Sequence, residues 1–291
     1  MPESSRPRSH LYLGASQFLF TTEALRSGQT SRAAATLLIS ASGRSFELQA
    51  AGGERVRCAA AFIPPHVSRG LYAEDCGGLV SLNFDPGSPE QLGLLHVHGR
   101  AAIRPLGLRG LGALLEPIEG AMSGELPAEA MPAGARRLVH ALCGLADARA
   151  VAPDARVVHV AGRLRGGAAA PLDDLAREVR LSGTRLRHLF HEQCGVSIRT
   201  YALWAKLRRG SVGMAHSQHL TEVAAEAGFA DLAHMSRTFR SMFGLLPSYL
   251  VDRQRVDLRA DGGAERAWRG AGVCPDTAAA AVFKTGARGS A

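Results

Sequence analysis

The sequence predicts an α+β chain. A strand-rich N-terminal barrel or sandwich, followed by two helices, precedes an all-α region of two helix-turn-helix units joined by a helix. Three observations predict this. Between residue 11 and about 85, short apolar runs recur about every 8–12 residues, divided by Gly, Pro, Ser and Asp. Between 105 and 148 the apolar residues instead recur at steps of three and four. Near the C-terminal end one pattern is written twice, over 172–195 and 220–244.

The strand runs are LYLG, QFLF, ATLLIS, SFELQA, AAFIP, GLYAE and LVSLNF. Pro64–Pro65 marks a turn among them, and Asp85-Pro-Gly closes the section. Leu108, Leu111, Leu114, Leu115 and Ile118 then fall on one face of a helix, and Leu138, Leu142 and Leu145 on one face of another. Two such helices would cover the barrel or pair with a second subunit. Val157, Val160, Ala161 and Leu164 open the helical region, and Gly166–Gly167 end that first helix. From about 255 the chain is rich in Gly and Ala without sustained periodicity, so a disordered tail is expected there.

Within the doubled pattern, Ser182 and Asp231, Leu186 and Met235, Phe190 and Phe239, and Gly195 and Gly244 are each 49 residues apart. Ala176 and Ala224 are 48 apart, so the second turn is one residue longer. The small Ala lets the following helix cross closely. Ser182, Thr221 and Asp231 are placed to cap helices by accepting from free backbone N–H groups. Between the units, Ile198, Tyr201, Ala205 and Leu207 define an intervening helix over about 197–215.

At 291 residues there is room for one large or two moderate domains, and the 46% hydrophobic content is ordinary for a globular protein. The net charge of +8 is uneven. Residues 1–155 balance 14 Arg/Lys against 14 Asp/Glu, whereas 156–255 hold 15 against 8, a net +7 around the doubled pattern. That excess suits a polyanion. The five Cys (58, 76, 143, 194, 274) are scattered, with no C-x-x-C pair, which suits reduced thiols rather than a disulfide frame or zinc site. With no signal-peptide apolar region and no 18-residue apolar run, a cytoplasmic protein away from the membrane is expected.

The runs LDDLAREVRLSGTRLRHLF, GVSIRTYALWAKLR and LTEVAAEAGFADLAHMSRTFRSMFGLLPSYL resemble the AraC/XylS family of bacterial transcription regulators over roughly residues 153–252. The resemblance implies a sequence-specific regulator, expected to be an activator, with the second helix of each unit in adjacent major grooves of double-stranded DNA. By position, Thr184, Arg187 and His188 fall where the first reading helix touches DNA, and Ala233, His234 and Arg237 where the second does. Arg187 and Arg237 suit bidentate pairing with guanine. Arg185, Thr221 and Arg240 suit phosphate contacts, which position without specifying. RNA polymerase and a second copy of the chain are further implied partners.

The chain departs from the family's pattern in several places. Lys206-Leu207 stands for Arg-Leu, and Gly210 stands for a small Ala at a cost of about 1 kcal/mol in helix propensity, with Gly213 a second weak point. Met235 replaces an aromatic and Leu246 a Thr, while Leu203 and Trp204 sit where polar residues are usual and read as an exposed contact surface. The first unit is therefore expected to carry more of the base specificity, and the second to add affinity and register.

The strand-rich part, with its turn FIPPHVSRGL, resembles the cupin-like sensor domain that precedes such modules, which implies a small effector in the barrel. The expected division is 1–104 sensor, 105–151 helical dimerisation region, 152–254 double helix-turn-helix and 255–291 tail. His66, and His96 with His98 on one face of a strand, are the metal candidates, but neither a carboxylate nor a further His has suitable spacing. Arg69, near His66, is read as a surface side chain in preference to an anion ligand. Neither a catalytic triad nor a phosphate loop is present, so no enzyme activity and no cofactor are expected. The alternatives are a cupin-type enzyme with an appended helical domain, an alkylation-repair protein needing an activated Cys, or a protein-binding anti-regulator that has lost DNA binding.

Overall fold

All seven strand runs form strands, and four further strands join them. In the computed structural model, which describes residues 8–108, 115–143, 153–167 and 170–268, the strands are β1 (Ser9–Leu13), β2 (Gln17–Thr22), β3 (Leu25–Thr30), β4 (Ala35–Ser40), β5 (Phe46–Ala50), β6 (Arg55–Cys58), β7 (Ala60–Ile63), β8 (Arg69–Ala73), β9 (Leu79–Phe84), β10 (Arg104–Pro105) and β11 (Val256–Ala260). They make a seven-stranded sheet in the order β10-β7-β4-β9-β2-β1-β11 and a four-stranded sheet in the order β3-β8-β5-β6. The two sheets form a sandwich and do not close into a barrel.

Side-chain alternation divides the large sheet between two duties. On one face Tyr12, Leu19, Leu37, Ile39, Val80 and Leu82 pack against helices α1 (Pro89–His98), α2 (Leu115–Ser123) and α3 (Met131–Cys143). On the other face Leu38, Ala61 and Ile63 meet Phe46, Leu48 and Leu71 of the small sheet. Further along that face, Leu11, Leu13, Phe18 and Phe20 pack against the C-terminal helices instead. β4 is buried along its whole length, which explains why ATLLIS reads as an unbroken apolar run.

The described parts of the two stripes cover the sheet. Ile118, Ala121, Leu138 and Val139 are buried against the chain's own strands, while Arg136, Arg137 and His140 face outward on α3. Leu111, Leu114 and Leu145, and the side chains of Leu115 and Leu142, lie outside the described residues. His96 and His98 are not on a strand. They end helix α1, because Ser88 caps its start and Pro89 occupies its first turn.

The C-terminal helices are α4 (Ala155–Arg165), α5 (Leu172–Glu178), α6 (Gly183–Cys194), α7 (Ile198–His216), α8 (Leu220–Glu226), α9 (Leu232–Phe243) and α10 (Pro247–Leu250). The chain then returns to the N-terminal sheet, which corrects the expected tail for 256–268. β11 pairs in parallel with β1, Ser9 opposite Val256 through Leu13 opposite Ala260. Helix α11 (Gly262–Trp268) follows, with Trp268 buried and its indole donating to the Ala15 carbonyl at 2.9 Å. The segment AAAAVF lies outside the described residues. Among the described residues no helix is long and apolar enough to cross a membrane.

Candidate nucleic-acid interface

Each helix-turn-helix unit follows from a short list of local causes. In the first, Leu175 and Ala176 of α5 and Leu186, Phe190 and Cys194 of α6 turn inward. The Ser182 hydroxyl accepts from the Arg185 backbone N–H at 3.2 Å, a cap whose loss costs about 1 kcal/mol. Gly195 ends α6 in the left-handed region at φ 72°, its N–H donating to His191. In the second unit Val223 and Ala224 of α8 and Met235, Phe239 and Met242 of α9 turn inward. Asp231 caps α9 by accepting from the His234 N–H, and Gly244 ends it at φ 74°.

The inward faces leave the predicted reading residues outside. Thr184, Arg185, Arg187 and His188 are exposed on α6, and Ala233, Arg237 and Arg240 are exposed on α9. His234 is only half-exposed, because its ring packs edge-on against Phe229 at 5.3 Å. Thr221 is exposed but does not cap α8. That helix begins one residue earlier, at Leu220, with His219 at the cap position and no side-chain hydrogen bond there. Arg240 also lines an open groove with Leu246, Tyr249, Asp252 and Arg255.

Helix α7 runs unbroken through Gly210 and Gly213, both of which face neighbouring helices, closely only at Gly213. A methyl group at 210 would stand 3.5 Å from the Met235 sulfur and 3.6 Å from Ala227 and Phe239. One at 213 would meet Val223 at 3.2 Å. Met235 is fully buried and packs beside Gly210 at this crossing. Arg209 ties the neighbouring helix ends to α7 by donating to the carbonyls of Leu164, Arg165 and Ala227.

Trp204 corrects a sequence expectation. It is fully buried, and its indole N–H donates to Asp85 Oδ1 at 3.0 Å, across the boundary to the sheet domain. Leu203 is half-buried. Arg208, one turn further along α7, reaches the same carboxylate and also donates to the Gly14 and Gln17 carbonyls. Its guanidinium lies between the rings of Phe18 and Trp268, 5.3 Å from each centroid. Burial pushes the Asp85 carboxyl above its ordinary range, although Arg208 and Trp204 pull it down.

The seam between the domains also holds a small cavity that sequence reading missed. Leu11, Leu13, Phe18 and Phe20 of the sheet and Phe239, Phe243 and Leu250 of the second unit line it, with Arg32 at its wall. The free volume is about 40 Å³, room for a water or two. Arg32 donates to Asn83 Oδ1 at 2.6 Å, to Ser81 Oγ at 3.2 Å and to the Met242 carbonyl at 3.3 Å. It has no carboxylate partner among the described residues, and burial, with Arg69 nearby, holds its pKa well below the ordinary guanidinium value. Nothing in the order of residues around Arg32 distinguishes it from a surface arginine. Only the fold closes over it.

Arg69 corrects another expectation, since it is buried on β8 and not at the surface. It donates to the Thr30 carbonyl at 3.2 Å and the Thr30 hydroxyl at 2.9 Å, and burial lowers its pKa to about 10. His66 occupies a turn at φ 64°. Among the described residues no three or more His, Cys, Asp or Glu side chains converge as metal ligands would. Burial raises the Cys58 thiol to about 11 and the Cys194 thiol to about 12, and it raises Cys76 as well. None of these three has the lowered pKa of a reactive thiol.

Residues 175–253 match the family described as Helix-turn-helix domain. Over 83 residues the chain is 26% identical to the Msm operon regulatory protein of Streptococcus mutans, which covers 28% of this chain and 30% of that protein. The match therefore spans under a third of that relative's length. Among solved structures, ToxT from Vibrio cholerae aligns over 84% of this chain and 97% of its own, with 13% identity and a TM-score of 0.52. An unsaturated fatty acid-bound form of wild-type ToxT aligns over 84% and 94%, with 12% identity and a TM-score of 0.50. At that identity the likeness is one of fold, and it extends across the sheet domain as well as the helices.

Proposed function

With residues 175–253 an AraC-type helix-turn-helix domain, we propose that this chain is a sequence-specific DNA-binding regulator of transcription that reads two adjacent major grooves. The observation that carries the reading is the pair α6 and α9. Each is capped, closed by a left-handed Gly, buried on one face and exposed on the other. Thr184, Arg187 and His188 are the base-reading candidates of the first unit. Ala233 and Arg237, with the half-exposed His234, are those of the second. Arg187 and Arg237 bring guanidinium forks suited to guanine edges, while Arg185, Thr221 and Arg240 are the candidates for phosphate contacts. RNA polymerase and a second copy of the chain are carried as proposed partners, and transcriptional activation as the proposed sense of regulation.

The reading is tested by footprinting the chain's own upstream DNA. One bound protein is expected to protect two major-groove segments about 34 Å apart on one face of the duplex. Loss of affinity with salt should be steep. A single protected segment, or binding indifferent to sequence, would contradict it.

Arg32 favours a further part of this reading, control by a small acid with an apolar body. A buried guanidinium without a counter-charge at an apolar seam is the chemistry that a carboxylate would complete. The seam has too little free space for such a molecule, so entry would part β2 from α9 and so move the second reading helix. ToxT, which shares the fold, has been solved with an unsaturated fatty acid bound. A sixteen-carbon unsaturated fatty acid is therefore the first probe. It should shift both the melting temperature and the DNA affinity of the wild type and leave Arg32→Met unaffected. Equal shifts in both proteins would remove Arg32 from the site.

A further inference from the structure

The two helix-turn-helix units share one left-handed backbone position and fill it with different residues. In the first unit the turn after α5 runs Val179, Arg180, Leu181, and in the second the turn after α8 runs Ala227, Gly228, Phe229. Leu181 donates its N–H to Ala176 and Phe229 donates its own to Ala224, both at 2.9 Å, and Arg180 and Gly228 likewise donate to Arg177 and Ala225, so this part of the two turns is built alike. The residue between is left-handed in both, at φ 55° for Arg180 and φ 85° for Gly228. The second unit fills that position with glycine, which adopts it without steric cost. The first fills it with arginine, and among the non-glycine residues described only His66, also in a turn, shares a left-handed backbone with Arg180. The chain's own second copy thus shows what the fold alone would choose.

The arginine is not repaid inside the protein. Arg180 is exposed, and no side-chain hydrogen bond or ion pair of its own is found among the described residues. Two of the acids on α5 are occupied by others, since Asp174 pairs with Arg177, and Glu178 pairs with His159 and Arg163. Two residues later Ser182 caps α6, and the first reading residue, Thr184, follows after one more. When the N-terminal residues of a reading helix enter the major groove, the first helix of the unit crosses the sugar-phosphate backbone, and Arg180 sits on the turn between the two helices.

We propose that Arg180 is a backbone-phosphate contact that fixes the first unit on duplex DNA, kept at the expense of folding stability. This rests on the DNA-binding reading and adds to it a residue that the resemblance did not mark. The contact positions the unit and carries no sequence preference. That makes it testable without knowing the operator.

The test compares full-length wild type, Arg180→Gly and Arg180→Lys, each for thermal unfolding and for binding to a random-sequence 40-base-pair duplex over a range of salt. Arg180→Gly should melt about 2–4 °C higher than wild type. It should also bind the duplex several-fold more weakly, with a salt slope lower by about 0.9, the share of one phosphate. Arg180→Lys should keep the slope and show no gain in melting temperature. If Arg180→Gly binds with the wild-type affinity and slope while Arg187→Ala on the chain's own upstream DNA still loses base preference, this proposal falls and the DNA-binding reading stands. If wild type binds neither duplex in a salt-dependent way, both fall.

Discussion

Arg208 and Asp85 form an ion pair, Nε to Oδ1 at 3.2 Å, with both side chains buried where the linker helix α7 meets the sheet domain. Asp85 closes β9 and Arg208 sits in the middle of α7, so the pair fixes the helix that joins the two reading units to the N-terminal fold. Burying two charges is costly and is offset here by Trp204 and by two backbone carbonyls. Breaking such a pair leaves an uncompensated charge. Asp85→Ala should cost about 3–5 kcal/mol in urea denaturation, and the double change Asp85→Leu with Arg208→Met should cost less than either single change. Additive losses would show that the two groups do not act together.

The C-terminal return predicts a second loss. Trp268 is 1% exposed, donates to Ala15 and lies over Arg208. Trp268→Ala should therefore cost about 3–5 kcal/mol, although it lies beyond the helix-turn-helix units. A loss within about 0.5 kcal/mol, as for a free tail, would contradict the docking of β11 and α11.

The same seam sets a pH dependence. His10 on β1 is buried with Nδ1 3.6 Å from Asp257 of β11, and Arg259 lies near. Burial lowers its pKa from the ordinary 6.5 and outweighs Asp257, which raises it. A ring held neutral in the fold stabilises fully above its unfolded pKa, and that contribution is lost as pH falls through the folded value. The melting temperature should therefore drop as pH is lowered from above 6.5 to below it, and His10→Gln should flatten that drop. A rise on acidification would mean that Asp257 outweighs burial.

Gly210 predicts a gain. A methyl group there would meet Met235, Ala227 and Phe239 at ordinary contact distances. The backbone is helical, so Gly210→Ala should stabilise by about 0.5–1 kcal/mol. Gly213→Ala should gain less or nothing, because Val223 stands at 3.2 Å. Equal gains at both positions would show that the crossing with α8 is looser than described.

The sequence was most legible where periodicity and capping agree. Ser182, Asp231, Gly195 and Gly244 marked the bounds of both reading helices, and the alternating and fully apolar runs marked the central strands. The edge strands were hidden for a physical reason. β3 and β6 hydrogen-bond to one neighbour and face solvent, so LRSGQT and RVRC carry little apolar signal. β11 was hidden by the Gly- and Ala-rich text around it, and its place beside β1 is a non-local pairing that no local pattern encodes. Trp204 was misread for a similar reason. A tryptophan at a usually polar helix position signals a partner, and here the partner is the chain's own Asp85. The resemblance marks nine residues for DNA, of which eight are exposed. It did not anticipate that His234 packs against Phe229 or that Thr221 falls inside α8.

The central claim is that α6 and α9 read DNA bases. Its most direct test is the base preference of wild type, Arg187→Ala and Arg237→Ala, measured by selection from a randomised duplex pool at fixed salt. Each variant should lose discrimination at a guanine in its own half of the site, by about 1–3 kcal/mol, while preference in the other half is kept. Unchanged preferences in both halves, from variants that fold as the wild type does, would contradict the account.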